Sequence, residues 1–185
     1  MAGLGIYLMG CALLVAAGVL KALRPADTAR AVAGALHRPP SRAWVHTVRA
    51  LAAGEAALGV AGIVVPSVPV AVAVAVSFAA FAGFVVYARA TGGALSTCGC
   101  FGSPDTPPTA LHAALNALVA AGAVAVATAG PDGSLAGVLG RQYLDGVPLV
   151  AASAVAAWLA FLVMAPLARL HALRQMRPYV PGGRP

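Results

Sequence analysis

The chain has 185 residues, of which 61% are apolar and 9% charged, with 12 basic against 5 acidic side chains and a net charge of +7. Soluble domains are about a quarter charged and disordered chains are poor in apolar residues, so neither class fits; 21 Gly and 14 Pro without a three-residue period exclude collagen. An integral membrane protein remains, long enough for roughly four to six helices at about twenty residues per span.

The first apolar run, from Leu4 to Leu23, carries no charge before Lys21. It is too long for a signal-peptide core and no small-residue cleavage pattern follows it, so it reads as the first span. Residues 24 to 42 hold Pro25, Pro39, Pro40 and four arginines. They form a basic loop, with a short interfacial helix from Asp27 to His37 for which Asp27 is the expected cap. A second span runs from Ala43 to Val65 and ends at Pro66 and Pro69, because proline cannot continue a helix's hydrogen bonding. The third span, Val70 to Tyr87, follows after only a few residues, which predicts a tight helical hairpin.

Residues 90 to 109 break the apolar pattern with Thr91, Gly92 and Gly93, then Cys98-Gly99-Cys100-Phe101-Gly102, then Pro104, Pro107 and Pro108. This is a loop, and it is the place to look for chemistry. A fourth span covers Ala110 to about Ala129, with Thr109 as its cap. Residues 130 to 146 are polar and Gly-rich, with Tyr143 and Asp145 read as turn residues, and a fifth span covers Val147 to about Leu167. The fold class is therefore all-α: a four-span core over residues 1–128, a loop over 129–146, a fifth span over 147–167 and a basic tail over 168–185. Small residues such as Ala52-Ala53-Gly54 are expected where helix backbones approach closely.

Eight of the twelve basic residues lie at Arg24, Arg30, Arg38 and Arg42 and at Arg169, Arg174, Arg177 and Arg184. Such clusters beside apolar spans mark cytoplasmic ends and argue against nucleic acid as a partner; lipid is the surrounding medium. With five spans the basic loop, the cysteine loop and the tail share one face. The charge count thus puts the C-terminus and the cysteines at the cytoplasmic side of a multi-pass cell-membrane protein.

The residues with chemical potential are few. In Cys98-Gly99-Cys100 the glycine removes the steric bar to unusual backbone angles, so the two sulfurs can meet or jointly face a ligand. A disulfide across so short a ring departs from preferred geometry, which makes it labile and suits a redox-active dithiol. Two thiolates also suit copper(I) or zinc, although two ligands leave a coordination sphere incomplete, and the third reading is a pair of unrelated loop cysteines. No metal cluster emerges from the scattered histidines. Cys11, alone among Leu and Ala, reads as a small hydrophobe. Glu55 lies near the bilayer midplane, where a carboxylate costs several kcal/mol unless paired. Lys21 is its expected partner, the pair serving either as a structural bridge between the first two spans or, through Glu55, as a proton relay or a polar group at a quinone site. Arg49 points to another face, and with His46 it forms an interfacial polar cluster. His112 and Asn116, four apart just after the cysteine loop, read either as a packing pair or as a histidine placed to favour a thiolate or shuttle its proton.

Lys21 closing the first span, Glu55 inside the second, Cys98-Gly99-Cys100-Phe101-Gly102 between the third and fourth, and Asn116 in the fourth together resemble the MauE family of methylamine-utilisation membrane proteins, related to the DoxX-like group. The resemblance covers roughly residues 4 to 128. It implies a helical bundle with a thiol-redox role: Cys98 and Cys100 as the catalytic pair, supported by Lys21, Glu55, His112 and Asn116. In the family that role is associated with maturation of the methylamine dehydrogenase small subunit. The plan is also similar to the vitamin K epoxide reductase type, where a cysteine pair heads a fourth helix near a quinone. A quinone is the one cofactor this suggests. The chain has C-x-C in place of C-x-x-C and no second cysteine pair, so a thioredoxin-like protein or an exported Cys-containing substrate is expected to supply the other dithiol. A non-enzymatic assembly factor or soft-metal-binding protein is the alternative, and a solute transporter using Glu55 and Lys21 the third. Disulfides form outside the cytosol, which conflicts with the charge count unless the fifth span does not cross, electrons come from a cytosolic reductant, or the basic loop is an exception.

Overall fold

The computed structural model describes residues 2–35, 38–39, 41–90, 109–129 and 143–164. Cys98, Cys100 and the basic tail lie outside the described residues. All the elements described are helices: α1 (Ala2–Leu23), α2 (Pro25–Ala35), α3 (Arg42–Val64), α4 (Val68–Ala90), α5 (Ala110–Ala129) and α6 (Tyr143–Leu162). Four of them, α1, α3, α4 and α5, are long and apolar enough to cross a membrane, and the apolar stretch of α6, Gly146–Leu162, is shorter. The predicted all-α membrane bundle is thus the observed one.

Helix α1 is the centre. More than half of its apolar window is buried (56%), against 22%, 28% and 33% for α3, α4 and α5, whose remaining surface faces outward. That outward surface displays Val64, Val76, Leu118 and Val124, as lipid-facing helices require. Helix α1 packs most extensively on α3, then on α5 and α6, and α4 packs chiefly on α5. Although only residues 65–67 separate α3 from α4, these two helices touch each other far less than α1 touches α3. The predicted hairpin therefore exists as a chain reversal whose two arms pack mainly on other partners.

Close contacts fix the helix directions. A Cβ added at Gly18 would meet the Ala52 carbonyl oxygen at 2.5 Å and the Ala56 nitrogen at 2.7 Å, and one at Gly62 would meet Cys11 and Tyr7. As numbers fall along α1 they rise along α3, so the two are antiparallel. Gly3 abuts Gly122 and Ala125 while Gly10 abuts Val119, which makes α5 antiparallel to α1 as well. Gly5 lies beside Leu149 and Ser153, and Met164 borders the same cavity as Leu13 and Lys21. Helix α6 therefore runs parallel to α1 along the whole bundle, which at 20 residues is about 30 Å. Without a hydrophobic effect between helices in lipid, such backbone approach supplies the packing contacts. Of the expected close-packing triplet only Ala52 serves, at 0% exposure; a Cβ on Gly54 would meet nothing within 4 Å.

Local sequence sets the helix ends. Val65 donates its N–H to the Ala61 carbonyl (2.8 Å) as the last turn of α3, and Pro66 then stops the ladder. Pro25 opens α2 at the first helical position, where its missing N–H costs nothing. Asp27 lies inside the first turn and pairs with Arg30 one turn on, so it is an ion-pair partner in place of the expected cap. Helix α6 begins at Tyr143, so Tyr143 and Asp145 belong to its first turn and not to the preceding loop. Pro148 lies within it and forfeits one bond, to the Leu144 carbonyl. Two serine hydroxyls bond within their own helices: Ser77 donates to the Ala73 carbonyl at 2.8 Å and Ser153 to that of Leu149 at 2.7 Å.

Candidate functional site: a charge pair and a cavity at the cysteine-loop end

The helix directions bring the end of α1, the start of α3, the end of α4, the start of α5 and the end of α6 to one end of the bundle. The segment carrying Cys98 and Cys100 leaves from Ala90 and returns at Thr109, so both its attachments are at that end.

Lys21 is two residues from the end of α1 and Glu55 is midway along α3. The lysine head reaches inward and its Nζ donates to both carboxylate oxygens of Glu55, at 2.8 and 2.7 Å. The side chains are 10% and 17% exposed. This is the pairing expected from the sequence, and its cause is plain: each charge alone would have to leave water unpartnered. The same Nζ lies 5.2 Å from the centroid of the Phe81 ring on α4, close enough for the ring's negative face to attract it. Phe81 in turn meets Phe78 edge-on, with centroids 5.8 Å apart and planes at 85°.

Below the pair lies a cavity with an empty volume of about 400 Å³, its open mouth included. Leu13, Leu14, Ala17 and Lys21 of α1 line it with Phe78 and Phe81 of α4, Asn116 of α5 and Met164 just past α6. Asn116 is 5% exposed. Lys21 and Asn116 thus line one cavity, and Glu55 is joined to it only through its bond to Lys21.

His112 is 2% exposed and stands apart from that space. Its Nε2 lies 3.0 Å from the Met164 carbonyl oxygen. A carbonyl only accepts, so Nε2 carries the proton and Nδ1 is the acceptor. Nδ1 lies 2.7 Å from the Thr109 hydroxyl and 3.3 Å from the Thr109 N–H. Reaching back to the residue before the helix, His112 plays the part of the third-position side chain in a capping box, and its other nitrogen ties α5 to the end of α6. Thr109 is accordingly the cap the sequence indicated, satisfied through a histidine.

Cys11 is fully buried and free, against Gly62 and beside Tyr7, whose hydroxyl is buried without a hydrogen-bond partner among the described residues. That is the small-hydrophobe role expected for Cys11. His46 and Arg49 are both exposed on α3, facing away from the pair. No three His, Cys, Asp or Glu residues come together among the described residues. Sequence reasoning missed Phe78, Phe81 and Met164, and in wholly apolar surroundings nothing marks them; only the i, i+3 spacing of the two phenylalanines hints at a shared face.

These features define a polytopic α-helical membrane protein with a buried ion pair beside an apolar cavity. Residues 1–129 match the family described as methylamine utilisation protein MauE, and the chain belongs to that family. No curated protein matches it, and no solved structure does. The match ends where α5 ends, so α6 lies outside the matched residues.

Proposed function

We propose that this chain is a membrane thiol-redox protein that uses the Cys98-Gly99-Cys100 dithiol to support disulfide formation in exported proteins. The processing of methylamine dehydrogenase's disulfide-rich small subunit is the case its family suggests. The observation that carries the reading is that the C-x-C segment is tethered at Ala90 and Thr109, at the same end of the bundle as the Lys21–Glu55 pair and the cavity. Scaffolds commonly carry their reactive residues on segments that join rigid elements.

In the proposed exchange a thiolate of the client attacks one sulfur of the Cys98–Cys100 disulfide, the S–S bond breaks, and a mixed disulfide forms while the other cysteine leaves as thiolate. A second client thiolate then attacks the mixed disulfide, which forms the client's disulfide and releases the chain as a dithiol. A thioredoxin-like partner protein is the expected counterpart in the exchange. The test is to trap the mixed disulfide with Cys98→Ser and Cys100→Ser single variants and to identify the attached protein by mass spectrometry. One variant is expected to accumulate the adduct and both to lose turnover. A pair of cysteines that never forms a mutual disulfide across a series of thiol redox buffers, with copper or zinc co-purifying, overturns the reading in favour of metal binding.

A further inference from the structure

We infer that the cavity between α1, α4, α5 and the end of α6 is a binding site for a neutral, membrane-soluble quinone, held by Asn116 and Lys21. Asn116 lines the cavity at 5% exposure, and its amide makes no hydrogen bond to any described residue. A primary amide offers two donors and an acceptor, and here they are left available to a molecule that enters the cavity. Lys21 has three donors, two of which go to Glu55. The third is left for the side where Phe81 and the cavity lie.

Charge decides the class of ligand. Glu55 already neutralises Lys21, so an anion would meet a carboxylate behind the ammonium and a cation would meet the ammonium itself. What fits is an uncharged molecule whose oxygen accepts from Asn116 and Lys21. The rest of the lining is Leu13, Leu14, Phe78, Phe81 and Met164, which favours an apolar ring, and the edge-on phenylalanine pair offers it an aromatic wall. A ring with carbonyl oxygens, soluble in the bilayer, is a quinone. Its role as electron acceptor rests on the thiol-redox reading. Two S–H bonds would break and one S–S bond form, and both electrons and both protons would go to the quinone oxygens to give the hydroquinone.

The test is calorimetric titration of the purified full-length protein in lipid nanodiscs with ubiquinone-1 and with menadione. Saturable one-site binding is expected, weakened about 3- to 10-fold by Asn116→Leu, the loss of one hydrogen bond. Val124→Ala, on the outward face of α5, is expected to bind as the parent does. Photolabelling of the unaltered protein with an azidoquinone is expected to mark the peptides containing Phe78, Phe81 and Asn116, which needs no variant to fold. Non-saturable partitioning equal in parent and Asn116→Leu, or label confined to other peptides, overturns the inference. The Cys98→Ser/Cys100→Ser protein is expected to bind the quinone unchanged and to produce no hydroquinone. Binding with no hydroquinone formed by the dithiol parent would leave the site standing and remove the thiol-redox reading; trapped mixed disulfides without binding would do the reverse.

Discussion

Replacing Lys21 by Met or Glu55 by Gln removes one half of a pair whose geometry leaves little freedom. At 2.7 Å and an effective dielectric of about 20, the attraction between unit charges is about 6 kcal/mol. Against it stands a desolvation penalty of several kcal/mol per ion, so the intact pair contributes little net stability. The asymmetry appears on breaking it. A single substitution keeps the penalty of the remaining charge and loses its compensation, which is expected to cost about 3–5 kcal/mol, whereas the Lys21→Met/Glu55→Gln double variant removes both the penalty and the attraction and is expected to cost about 1–2 kcal/mol. The coupling in a double-mutant cycle is then at least about 4 kcal/mol. Equilibrium unfolding in mixed micelles with increasing sodium dodecyl sulfate measures all four proteins on one scale. Single-variant losses that add to within about 0.5 kcal/mol would refute the argument, because contacting groups do not behave independently.

Gly18→Ala forces a Cβ within 2.5 Å of the Ala52 oxygen and 2.7 Å of the Ala56 nitrogen, and is expected to destabilise by about 1–3 kcal/mol. Gly54→Ala, with open space around it, is expected to stabilise by about 0.5–1 kcal/mol in the same unfolding assay. His112→Phe loses both the Thr109 and Met164 bonds and should lower stability by about 2 kcal/mol; in alkylation kinetics the reactivity of Cys98 and Cys100 should stay within about twofold of the parent. Cys11→Ala should leave thiol exchange intact, measured as turnover with a model dithiol client, since Cys11 is buried against α3.

Glu55 could be assigned a partner from the sequence because a carboxylate deep in an apolar run has to be matched, and the chain offers few cations on neighbouring spans. The limits of the second and fourth spans were equally legible, whereas the third runs Val68–Ala90 against the expected Val70–Tyr87. Arg42–Val64 and Ala110–Ala129 lie within a residue of the expected bounds, since Pro66 and the Pro107-Pro108-Thr109 sequence mark discontinuities that any helix must respect. The start of α6 was not, because Gly146 and Pro148 mimic loop signals while the helix tolerates one missing bond. The role of His112 was half legible. Its position one turn after Thr109 suggested a polar function at the helix start, but its second partner is the backbone carbonyl of Met164 just past α6, which no side-chain pattern encodes. The cavity was invisible for a related reason: α4 is apolar on all sides, so periodicity cannot tell which phenylalanines face inward.

The bundle also reduces the question of sidedness to one measurement. Met164 lies at the end that holds Lys21 and the start of α5, and Gly5 lies with Leu149 at the opposite end. The basic segment around Arg30, the attachments of the cysteine loop and the exit of α6 therefore share one face, and no rotation of the bundle separates them. Positive charge within about 15–20 residues of span ends favours the cytoplasm, so a reporter fused after Arg177 is expected to be active only inside the cell. That outcome would place the attachments of the Cys98–Cys100 segment on the cytoplasmic side and would confine its direct thiol exchange to a partner dithiol on that face, away from exported clients. A reporter active only outside would instead place Cys98 and Cys100 beside the exported clients directly and would show that the arginines around α2 are held at the external surface by the fold, against their usual preference.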